Sequence, residues 1–182
     1  LAFLLAHVHA GAKVLDVGCG EGRFTAALAG AGALAVGIDV AEEPLRRARL
    51  AHPDLDLRLV APHGPWELAD SSFDLAWAGE TIEHVADTAA WLSEVRRVLR
   101  PRGLLLLSTP AYGPLLLLSL ALSPRKFASH FDPRSDHLRF YSRRTLAELL
   151  REFGFAQIAF SGIGGTPGMR RTLLISAQRT RW

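Results

Sequence analysis

The sequence predicts an α/β protein, a mostly parallel sheet with helices on both faces. Three observations carry this. Short apolar runs alternate with helical periodicity along the 182 residues, the pattern of repeated strand–helix–strand units. The run Val14-Leu15-Asp16-Val17 passes directly into Gly18-Cys19-Gly20-Glu21-Gly22 and then into an Ala-rich helical segment, which reads as strand, tight turn, helix. A second apolar run, Gly37-Ile38-Asp39-Val40, again ends a strand in an acid.

The elements follow in order. Apolar runs place strands at 13–17, 34–39, 55–60, 73–78 and 103–108. Helical spacing places helices at 22–31, 42–51, 81–85 and 88–99. A last helix, 142–153, opens on Ser142 as cap and stops at Gly154. Two further strands near 156–161 and 173–177 bring the expected sheet to seven. Ligands in such sheets bind beyond the carboxyl ends of the strands, where Asp16, Asp39, Ala61, Ala78 and Thr109 fall. The stretch 110–140 is too long for a plain connection, and 115–122 is apolar on every face. It is expected to be a lid over the substrate. Its leucines, next to Arg125 and Lys126, also suit contact with a membrane surface, and an ordinary buried helix is the plain alternative.

The glycine turn has few side chains, so a ligand can approach its backbone closely. Asp39, at the end of the next strand, is placed to accept hydrogen bonds from ribose hydroxyls. A dinucleotide fingerprint needs a third glycine where this chain has Arg23, and a diphosphate is disfavoured beside Asp16 and Glu21. Acids there suit a cationic ligand. The pattern resembles motif I of the class I S-adenosylmethionine-dependent methyltransferases, and the resemblance runs from Val14 to about Ile175. It implies a three-layer Rossmann-like fold with S-adenosylmethionine as cofactor. It further implies that Asp16, Gly18, Cys19 and Gly20 surround the amino-acid moiety. Asp39 would take the ribose, while Val40, His63 and Ala78 would lie beside the rest of the cofactor. Where members of the family often carry an acid after the third strand, this chain has Ala61 and Pro62. Adenine recognition is therefore expected from backbone near His63 and packing on Trp66. Arg100-Pro101-Arg102-Gly103 resembles the family's turn into the fifth strand, with Arg102 in place of a glycine.

After the fourth strand, Gly79-Glu80-Thr81-Ile82-Glu83-His84-Val85 resembles the segment that passes beneath the transferred methyl group. On a helix, the spacing of Glu80, Glu83 and His84 puts all three on one face. Two carboxylates and an imidazole suit a divalent cation such as Mg²⁺, which lowers the pKa of an acceptor hydroxyl. The motif is similar to those of ubiquinone-pathway O-methyltransferases and of small-RNA 3′-terminal 2′-O-methyltransferases. In the latter a downstream histidine completes the set, and Asp136-His137-Leu138-Arg139-Phe140 makes His137 the candidate. The expected metal ligands are Glu80, Glu83, His84 and His137. The expected catalytic residues are His84 and His137, since imidazole titrates near neutrality. In the alternative, the Glu-His pair braces the helix without metal. His130, Asp132 and Tyr141 rank second.

Composition sets the remaining expectations. The length fits one domain, 1–182, with 1–12 the remnant of an N-terminal helix and 110–140 the inserted lid. The chain begins without Met and close to its first strand, so an N-terminal portion is expected to be missing. The single cysteine, Cys19, gives no disulfide framework, and no leader pattern is visible, which fits the cytoplasm. Cys19 is read as a small residue chosen for space, with a reactive thiol as the alternative. Residues 1–100 hold nine Lys/Arg against fourteen Asp/Glu, a net of −5. Residues 101–182 hold twelve against four, a net of +8. The basic half suits an anionic partner. The expected reaction is methylation of a small molecule, anionic or lipophilic, at a hydroxyl oxygen. Two alternatives stand beside it: 2′-O-methylation of an RNA 3′ end, and a non-catalytic S-adenosylmethionine-binding regulator. No separate nucleic-acid-binding module is visible, which ranks the first of these lower.

Overall fold

The computed structural model describes residues 1–62, 64–165 and 170–181. Its centre is a seven-stranded sheet: β1 (Lys13–Val17), β2 (Leu34–Asp39), β3 (Asp56–Leu59), β4 (Phe73–Gly79), β5 (Leu99–Pro110), β6 (Phe155–Ile163) and β7 (Thr172–Arg179). The spatial order is β3-β2-β1-β4-β5-β7-β6. The first five strands pair in parallel, and β7 runs antiparallel to both β5 and β6. The expected sheet is therefore observed, with an antiparallel pair at one edge. The chain order reverses beside β1, so the carboxyl ends of β1 and β4 open onto a crevice, the usual ligand position in such sheets.

The alternation of side chains along each strand builds the layers. Leu15, Val17, Ala76, Ala78, Leu105 and Leu107 face one way, onto Trp91, Leu92 and Val95 of α4 (Thr88–Val98) and Leu146 and Leu150 of α7 (Arg143–Glu152). Val14, Leu75, Trp77 and Leu106 face the other way, onto Leu4 of α1 (Ala2–Leu5) and Leu28 of α2 (Arg23–Gly30). A small third cluster joins Cys19 and Leu57 to Leu45 and Ala48 of α3 (Glu42–Ala51). Ser142 caps α7 as expected, its hydroxyl accepting from the Thr145 amide at 3.1 Å, while Thr145 Oγ1 accepts in turn from the Ser142 amide.

Two expectations are corrected. The segment 81–85 is not an α-helix but a single 3-10 turn, Ile82–His84. Only a few residues separate the end of β4 from Asp87, which accepts from the Ala90 amide and caps α4, so there is no room for an α-helical repeat. β5 begins four residues earlier than expected, and its pairing with β4 shifts between Phe73 and Leu75. Arg102, where the family pattern has glycine, sits in that irregularity at φ +68°.

The stretch after β5 forms a helical hairpin, α5 (Pro114–Ala121) and α6 (Pro124–His130). Both helices open on proline, and Ser123 caps the second. Leu120 of α5 is buried, while Leu115 and Leu118 are about half exposed. The strap 131–142 then returns across the turn at Ile82–His84.

Candidate active site

The turn after β1 is fixed by backbone bonds. The Gly18 and Cys19 amides both donate to the Ile38 carbonyl, at 2.8 and 3.0 Å, so the loop is tied to the end of β2. Gly18 lies at φ +75°, and a Cβ there would stand 2.7 Å from Thr81 Oγ1. Both conformation and space require glycine. Thr81 in turn donates to the Val17 carbonyl at 3.2 Å. The Asp39 carboxylate accepts from the Gly20 amide at 2.7 Å and from the Ala41 amide at 2.8 Å. It joins the turn to the strand end while each oxygen keeps a second acceptor direction.

A cavity of about 420 Å³ opens at this point, within the size range of small-molecule sites. Gly18, Asp39, Val40, Trp66, Glu80 and His84 are among its walls. Its acids are Asp39 and Glu80, and no Lys or Arg lines it among the described residues. Val40 presents an apolar side chain that is 54% exposed. Trp66 and Trp91 are otherwise buried and form aromatic surface at the wall. Glu80 is held at φ +50°, with its amide donating to Ser108, a left-handed conformation that costs an ordinary residue about 1 kcal/mol or more and concentrates at functional sites.

Some expected cofactor residues lie elsewhere. Asp16 does not line the cavity. It lies on the same face of β1 as Val14, toward α2, is 1% exposed and accepts from Thr25 Oγ1 at 2.6 Å. Burial pushes its carboxyl up to about 7 despite that bond, and the Asp39 charge adds to the shift. Cys19 packs into the α3 cluster instead of the cavity. Burial, followed by the charges of Asp16 and Asp39, pushes its thiol up to about 12. That favours the small-residue reading over a reactive thiolate. Ala78 is fully buried beneath the site. His63 lies outside the described residues.

Next to the cavity is a second constellation. Glu83, His84 and His137 offer ligand atoms that all lie within 4.8 Å of one another. The Glu83 residue is fully buried, and among the described residues neither carboxylate oxygen has a partner at full hydrogen-bond geometry, although the nearby Thr109 hydroxyl partly offsets the effect of burial. Its carboxyl is pushed up to about 7, first by burial and then by the Glu80 charge. His84 Nδ1 stands 3.0 Å from the Asp136 carbonyl. A carbonyl only accepts, so Nδ1 carries the proton and Nε2 is left as the basic nitrogen. The His84 and His137 rings meet edge to face, with centroids 4.8 Å apart. The strap is docked by the Leu138 and Arg139 amides, both donating to the Glu83 carbonyl, and by the Arg139 guanidinium on the Ala86 carbonyl at 2.7 Å. Glu80 is not part of this cluster among the described residues. The 3-10 turn leaves it on the cavity wall, which corrects the shared face expected from an α-helix.

Of the second-rank candidates, Asp132 is held by Arg134. His130 joins an aromatic group with Tyr112 and Phe131, and Tyr141 is buried. Sequence reasoning missed Thr81, Trp91 and Tyr112. For Thr81 the signal was present: a polar residue directly after Gly79-Glu80, opposite the glycine turn.

A family model described as a methyltransferase domain matches residues 1–159. The chain is 33% identical over 164 residues to a ubiquinone biosynthesis O-methyltransferase of Thiobacillus denitrificans, covering 87% of this chain and 70% of that protein. It is 31% identical over 162 residues to the protein of the same name from Dinoroseobacter shibae, covering 86% and 65%. Across such curated relatives the chain spans 54% to 73% of their length. A solved S-adenosylmethionine-dependent methyltransferase of Methanosarcina mazei shares the fold, with a TM-score of 0.76 at 23% identity and 99% and 98% of the two chains covered.

Proposed function

The chain belongs to the class I S-adenosylmethionine-dependent methyltransferases, and from that premise we propose that it methylates a hydroxyl oxygen of a small molecule with help from a divalent cation. The cofactor, when bound, supplies a methyl group on a sulfonium that leaves readily. The cavity suits it. Among the described residues the cavity has acids and no Lys or Arg, which favours a positively charged ligand. Asp39 has acceptor directions left for ribose hydroxyls, and Val40 and Trp66 offer apolar surface to a base.

The observation that carries the proposal is the buried Glu83 carboxylate. A buried acid without a partner at full hydrogen-bond geometry is costly, and a cation shared with His84 and His137 would satisfy it. Held by these three residues, a divalent cation would lower the pKa of an acceptor hydroxyl. The Asp136 carbonyl fixes the His84 ring with Nε2 available, the arrangement usual for a metal-bound histidine. The strap is held beside these residues by its bonds to the Glu83 and Ala86 carbonyls. The two homologues named as ubiquinone O-methyltransferases support oxygen as the attacked atom. The exposed leucines of α5, next to Arg125 and Lys126, support peripheral contact with a membrane surface. No helix among the described residues is long and apolar enough to cross one.

Transfer of labelled methyl from S-adenosylmethionine to a panel of catechols tests this. The expected result is transfer that chelator abolishes, that Mg²⁺ or Mn²⁺ restores, and that Glu83→Gln lowers by about a hundredfold. Transfer unchanged by chelator would remove the cation and leave His84 Nε2 as general base. Transfer confined to amines would remove the oxygen acceptor.

A further inference from the structure

A second cavity, of about 560 Å³, lies beyond the carboxyl end of β5 and between α5 and the start of α7. Its floor is apolar, with Ala111 and Leu173 almost fully buried, and Pro114 and the 45% exposed Leu117 form its outer wall. Arg143, Arg144 and Arg170 are its charged residues, and no carboxylate lines it among the described residues. Those guanidiniums are largely uncommitted. Arg144 meets Glu148 in an exposed i,i+4 pair, an interaction of small weight. Arg170 donates to the Gly165 carbonyl at 3.2 Å, which leaves most of its donors. Arg143 has no acid within ion-pair distance among the described residues.

The placement of Arg143 and Arg144 runs against local preference. They occupy the first turn of α7, which contains no acid. The helix dipole disfavours cations there and favours anions. Such a conflict between local rule and observed residue is expected where a ligand repays it. Tyr112 ties the cavity to the site already described. It lines the cavity and meets Phe140 edge to face at 5.2 Å, and Phe140 belongs to the strap that docks on the Glu83 carbonyl. Among the described residues, the same end of the sheet thus carries two cavities of opposite character, one lined by acids without Lys or Arg, the other by arginines without acids.

We propose that this second cavity anchors the methyl acceptor, and that the acceptor is an amphiphilic anion. Its carboxylate or phosphate head is held by Arg143 and Arg170, and its apolar body lies over Leu117 and Leu173. The assignment to an acceptor rests on the methyltransferase reading above. A planar guanidinium fork takes either head group with paired hydrogen bonds, while the buried apolar floor is what favours a small amphiphile over a polynucleotide.

Calorimetric titration of the whole chain with octanoate, octyl phosphate, octanol and acetate tests this, each sample also being titrated with S-adenosylmethionine. Octanoate and octyl phosphate should bind saturably, with octanol and acetate at least about tenfold weaker. The double variant Arg143→Ala/Arg170→Ala should weaken octanoate by about tenfold or more and leave S-adenosylmethionine affinity within about twofold. Octanol binding as well as octanoate, or a double variant that binds octanoate normally, would overturn the proposal. So would a short single-stranded RNA that binds through Arg143 while octanoate does not. A wild type that binds S-adenosylmethionine but neither octanoate nor octyl phosphate refutes this inference alone. Absent S-adenosylmethionine binding refutes the methyltransferase reading, and with it the assignment of this cavity to an acceptor.

Discussion

Asp16 shows how a single side chain is set by its neighbours. It holds a proton up to about pH 7 in the fold, against 3.8 for the ordinary carboxyl. Between those values the folded chain carries more protons than the unfolded one, so this group's contribution to stability falls as pH rises through that window and is level above it. The effect is on the order of a few kcal/mol across the window. Urea midpoints of the wild type and Asp16→Asn at about pH 4.5 and 7.5 check this. The wild type should lose more stability on going up in pH than the variant, and equal slopes would contradict the account. Gly18 and Asp39 were legible in the sequence because turn geometry and strand ends are local. The direction of Asp16 was also present, since Val14 and Asp16 share a face by alternation, but only the partner Thr25 on α2 shows that this face is buried at that point. The ring orientation and tautomer of His84 were not legible, because its partner is a carbonyl 52 residues away.

At the scale of elements, the strands and long helices follow from apolar periodicity, while the 3-10 turn and the strap depend on contacts distant in sequence. The expected helix at 81–85 fails because β4 runs on to Gly79 and Glu80 turns left-handed, leaving one turn before α4. The strap is docked on Glu83 and Ala86 by Leu138 and Arg139. Arg139→Ala should therefore loosen His84 and His137, lowering the rate of methyl transfer about tenfold with S-adenosylmethionine affinity unchanged. Parallel turnover and binding measurements separate the two, and a variant that lost cofactor affinity instead would place Arg139 in the wrong role. Arg102 gives a stability test of the β4–β5 junction. Its φ of +68° costs about 1–2 kcal/mol in a side-chain-bearing residue, partly offset in glycine by the entropy of the unfolded chain. Arg102→Gly should raise stability by about 0.5–1 kcal/mol, seen as a higher urea midpoint. A lower midpoint would show that the Arg102 side chain contributes more than its backbone costs.

For the whole molecule, the sheet order, the crevice beside β1 and the split of charge form one arrangement. The acidic half contributes the cavity at the glycine turn, and the basic half contributes the helical hairpin, the strap and the arginine-rimmed cavity. The sequence displayed that split as net charges of −5 and +8. It did not display that three of the arginines converge on one apolar cavity, because Arg170 reaches it from the β7 side while Arg143 and Arg144 come from α7. The most direct test of the central claim is calorimetric titration of S-adenosylmethionine into the wild type and Asp39→Ala. Loss of a carboxylate that holds the glycine turn and, in the proposed reading, accepts from the ribose should cost about 2–3 kcal/mol, or roughly a hundredfold in affinity. The wild type should bind at one site per chain, and the variant should show that loss. Absence of S-adenosylmethionine binding, or equal affinity in the two proteins, would contradict the central claim.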